Sequence, residues 1–465
     1  MALDLYEHNA NAYMAAYEMM DKYGKAAIVH PTGTGKSYIA FKLIEAHPNE
    51  MIIWLSPSEY IFKTQRESLL RQDQDFPLQN VRFYTYAKLM CSTPEQLNQI
   101  AERNPTYIIL DEFHRIGAEF WGESTQRLLA LCPRAKLLGL TATNVRYLDN
   151  NRDMAVELFN GHVASEMTLG EAIVRGILPA PKYVTTVFKY KQDLARYQSR
   201  VDNLRSPGIQ DVNQKYLDAL KRALEQADGL EKVFARHITN KSGKYIVFCS
   251  GKEHMDEMIA HAPEWFATID TAPTVYKALS DDPATDKAFA AFKADNSKHL
   301  KLLFCIDMLN EGVHVEGISG VILFRPTISP IIYKQQIGRA LTAGDSTTPL
   351  ILDVVNNFEG LSSISGLQNE MAAAVQRLYA NGESDKIVTD RFEVVEQVHD
   401  CRVLFEQLQS SLSSTWDHYF SEASIYYAEH GNLDIPRRYK TPMGLSLGAW
   451  LQIQRQIRSG KRAGS

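Results

Sequence analysis

Short apolar runs of strand length alternate with segments of helical periodicity over the first part of the chain. This alternation is typical of a parallel sheet whose strands are joined by helices. The strands that the pattern predicts are Ala26–Val29, Met51–Leu55, Val81–Tyr86, Thr106–Leu110 and Lys136–Leu140. We therefore predict a first α/β domain over residues 1–183.

A second alternating series follows a stretch of different character. Residues 184–240 are charged and helical, with a break at Ser206–Gly208, and we interpret them as a helical insertion or connector. The strands predicted after it are Tyr245–Cys249, Leu300–Cys305, Val321–Phe324 and Leu350–Val354. They predict a second parallel α/β domain over residues 241–365.

Helical patterns prevail after Gly366. A serine-rich break at Ser410–Ser414 separates a helical linker, residues 366–414, from a small helical module, residues 415–465. A chain of 465 residues exceeds one hydrophobic core, because domains typically contain about 150 residues. The fold class that we predict is therefore α/β, with two tandem parallel-sheet domains followed by a small α-helical module.

Composition narrows the class of protein. Hydrophobic residues make up 45% and charged residues 23%, as in ordinary soluble proteins. The five cysteines are scattered without a C-x-x-C pair, which favours a reducing cytosol and disfavours a zinc site. No apolar run approaches the roughly 20 residues that span a bilayer, so we expect a cytoplasmic protein without a membrane partner. With a net charge of −5, any nucleic-acid binding must be a local property of the surface.

Residues 26–37 read AAIVHPTGTGKS and have the form of a phosphate-binding loop between a strand and a helix that runs to about residue 46. The Gly33-Thr34-Gly35 turn lets successive backbone N–H groups point at a polyphosphate. Lys36 adds a positive charge, and the Ser37 hydroxyl can ligate Mg²⁺. The positive end of the following helix would face the same anion.

Two adjacent carboxylates end another predicted strand. Thr106–His114 reads TYIILDEFH, and side chains at the carboxyl end of a parallel strand project into the crevice where ligands bind. Asp111 is suited to hold Mg²⁺, and Glu112 is suited to orient and deprotonate an attacking water.

These motifs resemble those of superfamily 2 helicases and translocases, in the group that includes the ATPase subunits of restriction enzymes. DEFH is similar to the family's Asp-Glu-x-His motif, and Leu140–Thr143, LTAT, is similar to its Ser/Thr-Ala-Thr motif. The resemblance implies two RecA-like P-loop NTPase domains with ATP and Mg²⁺ as cofactors in the cleft between them. It also implies that Thr141 and Thr143, with His114 as their partner, couple the ATP site to movement of the second domain.

Later segments resemble the family motifs in the same order. Tyr245–Met258 resembles the opening strand and helix of the second RecA-like domain. Leu302–Val315 resembles the fifth motif and includes Asp307 and Gly312. Tyr333–Thr342, YKQQIGRALT, resembles the sixth motif, Q-x-x-G-R-x-x-R, and the matching residues are Gln335, Gly338 and Arg339. By this resemblance Gln335 and Gly312 belong to the nucleotide site, and Arg339 senses the γ-phosphate.

Three positions depart from the family pattern. His30 stands at the first glycine of the phosphate loop, and His314 stands where many relatives have Asp. Thr342 replaces the second arginine of the sixth motif. Because an arginine that reaches the γ-phosphate is worth about 10³ to 10⁵ in rate, Arg339 must act alone or with Arg325. We favour Arg339, and the alternative is slow or absent hydrolysis.

Other segments indicate nucleic-acid contacts. Trp54–Gln65 and Phe83–Leu89 resemble the family's backbone-contacting segments, in which hydroxyls such as Ser56 and Thr85 would grip phosphate. Near the N-terminus, Asn9 is the amide side chain nearest to the position at which the family has a glutamine that recognises adenine. The segment around Asn9 would serve equally well as an amphipathic packing helix.

The C-terminal stretch has a charge pattern of its own. Residues 435–465 contain no acid and seven basic residues around Tyr439 and Trp450, as expected of a nucleic-acid-binding surface. The stretch also resembles the helicase-associated domain, in which we expect the tryptophans to belong to the core. The basic residues are Arg437, Arg438, Lys440, Arg455, Arg458, Lys461 and Arg462.

These features favour an ATP-dependent helicase or translocase that moves along DNA, with RNA as the alternative. A nucleic-acid-binding regulator, or a motor subunit of a restriction or defence complex with a weak or switch-like ATPase, remains open because of Thr342 and His314. The sequence carries no nuclease or methyltransferase constellation, so a restriction role would require a separate partner with that activity. A P-loop kinase or transporter is disfavoured, because the second domain has no phosphate loop.

Overall fold

The computed structural model describes residues 3–117, 119–143, 145–146, 152–187, 191–202, 204, 207–279, 282, 284–306, 317–324, 330–343, 347–355, 364–441 and 446–459. Through residue 174 its helices and strands are α1 (Glu7–Tyr23), β1 (Lys25–Val29), α2 (Ser37–Ala46), β2 (Ile52–Ser56), α3 (Glu59–Gln72), β3 (Val81–Thr85), α4 (Tyr86–Met90), α5 (Pro94–Ala101), β4 (Tyr107–Asp111), α6 (Glu119–Leu131), β5 (Lys136–Thr141), β6 (Val145–Arg146), β7 (Arg152–Asp153), α7 (Met154–Phe159), β8 (Val163–Glu166) and α8 (Leu169–Val174).

The elements after residue 174 are β9 (Lys182–Val187), α9 (Lys191–Asp202), α10 (Pro207–Gln226), α11 (Leu230–His237), β10 (Lys244–Phe248), α12 (Lys252–Trp265), β11 (Thr274–Ala278), α13 (Thr285–Ala294), β12 (Lys301–Cys305), β13 (Gly320–Leu323), α14 (Pro330–Gly338), β14 (Leu350–Val355), α15 (Ile364–Ala380), β15 (Glu393–Glu396), α16 (His399–His430) and α17 (Leu447–Arg458). Within the described residues, no helix is long and apolar enough to cross a membrane.

The first sheet has the strand order β3-β2-β4-β5-β1-β8, and its neighbouring strands pair in parallel. Both of its faces are buried, because alternate residues of each central strand enter two separate apolar clusters. On β2, for example, Ile52 and Trp54 join one cluster, and Ile53 and Leu55 join the other. The five strands predicted from the sequence in this region are confirmed, and β8, a short and partly exposed strand, extends the sheet.

The second sheet has the order β11-β12-β10-β13-β14-β9-β15, and the pairs from β11 to β14 are parallel. The four predicted strands are confirmed here as β10, β12, β13 and β14. The sequence pattern missed β11, whose residues are mostly half-exposed, and β9, which follows the proline-rich stretch GILPAP. Strand β15 also lies beyond Gly366, where only helices are expected from the sequence.

The described residues divide into two compact units, and both sheets belong to the first unit. The second unit contains α9, α10, α16 and α17. In this unit α10 packs against α16, and buried residues recur at helical spacing on each helix, as in Leu217, Leu220 and Leu224 of α10.

The predicted boundary at Ser410–Ser414 involves no break in the helix, because α16 is one helix of 32 residues from His399 to His430. Serine is only mildly unfavourable in a helix. Its cost is offset by the buried positions Cys401, Phe405, Leu408 and Leu412, which recur every three or four residues.

Candidate functional site

A cavity of about 710 Å³ is lined by residues from the phosphate loop, from the end of β4, and from the end of α14 and the segment after it. These three segments belong to different motifs of the sequence, yet they line the same space. The residues from these motifs are Gly33, Gly35, Lys36, Ser37, Asp111, Glu112, Gly338, Arg339 and Thr342.

The phosphate loop connects β1 to α2, which is the strand–loop–helix context that the sequence predicts. Gly33 and Gly35 have φ angles of 91° and 77°, values that glycine adopts without steric cost. Thr34 is buried, and its hydroxyl donates to the carbonyl of Pro31 at 2.9 Å. The loop is therefore curled by its two glycines and held closed by Thr34.

The segment after α14 lies directly on this loop. A Cβ atom at Gly33 would be 2.0 Å from the carbonyl oxygen of Leu341, and one at Gly338 would be 3.0 Å from the Cβ of Thr32. Each glycine therefore permits a close approach of two backbones. This approach brings Arg339 into the cavity, where burial lowers its pKa to about 10 and leaves the guanidinium charged near neutral pH.

Helix α1 contacts the loop from another side. The Asn9 amide donates to the carbonyl of Thr34 at 2.8 Å, and His8 Nε2 lies 2.9 Å from the same oxygen. The other amide atom, Asn9 Oδ1, is buried and has no hydrogen-bond partner within the described part of the chain. Asn9 also lines the cavity, so it presents an unused acceptor beside the phosphate loop.

Several neighbouring groups fix the position of the Glu112 carboxylate in the cavity. Its φ angle is 49°, a conformation that residues other than glycine rarely adopt and that is often found at functional sites. Lys36 Nζ lies 3.4 Å from one carboxylate oxygen, and the backbone N–H of Ala142 donates to the other at 3.4 Å. Burial alone would raise the pKa of Glu112, but the Lys36 charge and the hydrogen bond with His114 hold it below its ordinary value.

Asp111 has the opposite electrostatic balance. Burial and the neighbouring Glu112 charge raise the pKa of Asp111, and Lys36 and Gln65 oppose that rise only in part. Its backbone carbonyl accepts a hydrogen bond of 2.8 Å from the Tyr86 hydroxyl, which fixes the end of β4. The two adjacent carboxylates thus differ in proton affinity, as expected of groups with different chemical roles.

Gln65 of α3 joins the two predicted Mg²⁺ ligands, a role that the sequence does not reveal. Its side-chain Nε2 donates to Ser37 Oγ at 2.8 Å and to Asp111 Oδ2 at 3.4 Å. The residue ends the stretch Trp54–Gln65, for which the family resemblance implies nucleic-acid contacts. No local sequence signal marks it, because its partners come from two other motifs.

His114, Thr141 and Thr143 form a hydrogen-bonded group behind Glu112. His114 Nδ1 lies 2.8 Å from the Thr141 hydroxyl, which donates to the backbone carbonyl of Thr143 at 2.8 Å. The same hydroxyl lies 3.4 Å from Glu112 Oε2. The proximity of these three residues follows the prediction, whereas their coupling role remains a prediction.

His30, at the first position of the loop motif, is a buried structural residue. Its Nε2 lies 2.8 Å from the hydroxyl of Ser165 in β8, and its Nδ1 has no partner among the described residues. Burial, and then the positive charges of His8 and Lys36, lower the pKa of His30 to about 3. His30 is therefore neutral at physiological pH.

The structure says less about the remaining residues predicted for the nucleotide site. Gln335 is buried on α14. Thr342 lines the cavity at the position of the missing second arginine. Asp307, Gly312, His314 and Arg325 lie outside the described residues.

Two of the residues predicted to contact nucleic acid are buried. Ser56 at the end of β2 is fully buried, and Thr85 is 8% exposed, with its hydroxyl accepting from the backbone N–H of Lys88 at 3.0 Å. Their assignment to phosphate contacts remains a prediction.

Among the basic residues of the C-terminal stretch, Arg437, Arg438, Lys440, Arg455 and Arg458 are exposed. Arg455 donates to the carbonyl of Leu433 at 2.7 Å. Trp450 is half-buried: it stacks on Tyr419 at a centroid distance of 5.5 Å and packs against a small apolar cluster. Lys461 and Arg462 lie outside the described residues, and so does the Trp416 side chain.

Three family models match the chain in sequence order. Residues 2–146 match the type III restriction enzyme res subunit, residues 226–344 match the helicase conserved C-terminal domain, and residues 413–464 match the helicase associated domain. No curated protein sequence matches the chain.

Two solved structures share the fold. The first is the ATP-dependent type ISP restriction-modification enzyme LlaBIII bound to DNA, with 14% identity and a TM-score of 0.55 over 99% of this chain. The second is a fragment of a putative HsdR subunit of a type I restriction enzyme from Vibrio vulnificus YJ016, with 19% identity and a TM-score of 0.52 over 85% of this chain. The chain spans 36% of LlaBIII and 69% of the HsdR fragment.

The order of the three domain models agrees with the two parallel sheets and the helical C-terminal region. The two sheets are tandem RecA-like domains of the P-loop NTPase type. The chain therefore belongs to superfamily 2 of helicases and carries a helicase-associated domain in its C-terminal region.

Proposed function

We propose that the protein is an ATP-dependent DNA helicase or translocase that hydrolyses ATP in the cavity described above and moves along nucleic acid. The observation that carries the proposal is the joint lining of this cavity by Lys36, Glu112 and Arg339. In this assignment residues 1–183 and 241–365 are the two motor domains, residues 184–240 connect them, residues 366–414 are a linker, and residues 415–465 are the accessory module.

The donor set of the cavity fits ATP with Mg²⁺. Gly33 and Gly35 form a curled loop before a helix N-terminus, which suits a polyphosphate, and Asn9 Oδ1 is an unused acceptor that suits an adenine amino group. Among the described residues there is no cluster of three or more His, Cys, Asp or Glu that could hold a metal alone. One hydroxyl and one carboxylate, from Ser37 and Asp111, suit a cation that completes its shell with phosphate oxygens and water.

The protein residues have distinct roles in this proposal. Mg²⁺, when bound, neutralises phosphate charge. Lys36 binds phosphate, and Glu112, ionised at neutral pH because of its low pKa, orients the attacking water and accepts its proton. Arg339 faces the same cavity from the second domain and stabilises the charge that develops on the transferred phosphoryl group. Its position makes catalysis dependent on the closure of one domain upon the other.

The nucleic acid would contact the carboxyl ends of β2 and β3 and the exposed basic residues of the C-terminal stretch. Phosphate contacts of this kind position a strand without reading its sequence. LlaBIII is described as bound to DNA. Its likeness to this chain shows the fold, and DNA as the partner here is part of the proposal, with RNA as the alternative.

Thr342 favours a second candidate function. It lines the cavity where the family motif has an arginine, so the chain could bind ATP and hydrolyse it slowly. In that case the protein would be a regulator, or a subunit of a restriction or defence complex, that uses ATP as a switch.

ATP turnover with a panel of single-stranded, duplex and forked DNA and RNA tests the proposal. A motor shows low turnover alone and a large increase with the nucleic acid along which it moves. Turnover that stays at the background level with every member of the panel, although ATP binds, would support the switch.

A further inference from the structure

The side chain of Gln65 hydrogen-bonds to two oxygens that the proposed function assigns to a metal. Its Nε2 donates to Ser37 Oγ at 2.8 Å and to Asp111 Oδ2 at 3.4 Å. An amide NH₂ group has two donor hydrogens and no acceptor. Gln65 therefore directs both hydrogens at the two oxygens that a cation would coordinate, and it does so from a third element, α3.

A hydrogen-bond donor and a divalent cation compete for the same lone pairs. Mg²⁺ binds oxygen ligands at about 2.0–2.1 Å and keeps a strict octahedral shell. The Gln65 nitrogen, 2.8 Å from Ser37 Oγ and 3.4 Å from Asp111 Oδ2, engages the two oxygens that would hold the cation. The amide and the cation therefore exclude each other from this position.

We propose that Gln65 is a positioning residue that stands in for the cation: its amide occupies the cation position and must be displaced when the cation binds. The inference rests on the proposed function, because it takes Ser37 and Asp111 as the metal ligands. It assigns to Gln65 a role that differs from a contact with nucleic acid. Because displacement uses up part of the binding free energy of the cation, removal of the amide strengthens cation binding.

The test uses Mn²⁺ as the probe and the full chain in the presence of ADP. Electron paramagnetic resonance of free Mn²⁺ gives the dissociation constant without any turnover. We expect Gln65→Ala to bind Mn²⁺ about two- to tenfold more tightly than the wild type, which corresponds to the usual net strength of one hydrogen bond. Gln65→Glu should bind more tightly still, because it replaces the donor with a third oxygen ligand.

Matched variants separate this inference from the proposed function. Gln99→Ala, which removes an exposed glutamine of α5, should leave the Mn²⁺ affinity unchanged. Loss of Mn²⁺ binding in Ser37→Ala and Asp111→Asn would support the metal site. If Gln65→Ala and Gln65→Glu then bind Mn²⁺ no more tightly than the wild type, the proposed role of Gln65 is wrong, although the metal site is not. If Ser37→Ala and Asp111→Asn bind Mn²⁺ like the wild type, the metal site itself is wrong. Should Gln65→Ala fail to fold, Gln65→Leu, which also lacks the amide donors and adds no oxygen ligand, decides the question.

Discussion

The backbone N–H of Ala343 donates a hydrogen bond of 2.9 Å to the carbonyl of Gly33. This bond joins the phosphate loop to the segment that begins with Arg339, although the two are about 300 residues apart in the sequence. The residue that would contact the phosphates and the residue that would stabilise the transition state are thus held by a direct backbone contact.

The first prediction concerns this contact. In Gly33→Ala the new Cβ would lie 2.0 Å from the Leu341 oxygen at a φ of 91°, so the loop and the segment must separate. We expect kcat/KM for ATP to fall more than about tenfold, since positioning alone supplies large rate factors. Steady-state ATP turnover measures the effect.

Gly161→Ala is the matched control. Gly161 has a similar φ of 75°, but a Cβ there would meet nothing within 4 Å. It carries the same backbone strain, on the order of 1 kcal/mol, without the clash. Equal turnover of the two variants would show that the contact between Gly33 and Leu341 does not matter for function.

The second prediction concerns the hydroxyl of Thr141. Thr141→Val keeps the shape of the side chain but removes its hydrogen bonds with His114, Thr143 and Glu112. We expect ATP binding to persist and the stimulation of turnover by nucleic acid to fall about tenfold or more, because a buried network loses its central member. Thr185→Val is the control, since Thr185 is similarly buried and its hydroxyl has no partner in the described residues. An unaltered stimulation in Thr141→Val would remove the coupling role.

The third prediction follows from the pKa of His30, which burial and the charges of His8 and Lys36 lower to about 3. In the unfolded chain this histidine titrates near pH 6.5. Between pH 6.5 and pH 3 the unfolded state therefore binds a proton that the folded state does not bind. The contribution of His30 to stability is complete above pH 6.5 and is lost as the pH falls from 6.5 towards 3. The free energy of unfolding should decrease there by up to about 1.4 kcal/mol per pH unit from this residue.

Urea unfolding of the wild type and of His30→Asn between pH 5 and pH 8 measures this contribution by difference. Subtraction cancels the other histidines whose pKa burial lowers, His8 and His237. Identical pH dependence of the two proteins would contradict the burial of a neutral His30.

Much of the fold follows from local patterns. The strand β1, the two glycines and the helix α2 are adjacent in the sequence, and Asp111 ends an apolar run, so these positions could be predicted without a structure. Gln65 could not be predicted, because Ser37 and Asp111 are 28 and 46 residues away from it. The sequence pattern does not predict the strand β9, because its first residue follows a proline-rich stretch that is typical of a connector. In the structure β9 nevertheless forms a strand, because it pairs with β14.

The fourth prediction concerns the basic C-terminal stretch. Ile435, Leu447 and Leu451 are buried with Ala423 of α16, so deletion of residues 435–465 would remove packing as well as charge. Replacement of Arg437, Arg438 and Lys440 by Gln removes only exposed charges. We expect weaker DNA binding and a slope of log affinity against log salt that is flatter by up to about 0.9 for each phosphate that the variant no longer neutralises.

The control for this experiment replaces three exposed basic residues outside the stretch, Arg103, Arg134 and Lys298, and so changes the net charge equally. If both triple variants alter the salt slope to the same extent, the effect is one of net charge, and the stretch makes no direct contact.

The central claim is that Glu112 activates water in an ATPase stimulated by nucleic acid, and the turnover of the wild type and of Glu112→Gln in saturating DNA tests it most directly. The substitution keeps the size of the side chain and removes the base, so we predict a fall in kcat of about 10² to 10⁴ with ATP and DNA still bound. The same background rate in both proteins, with ATP and DNA bound, would contradict the account.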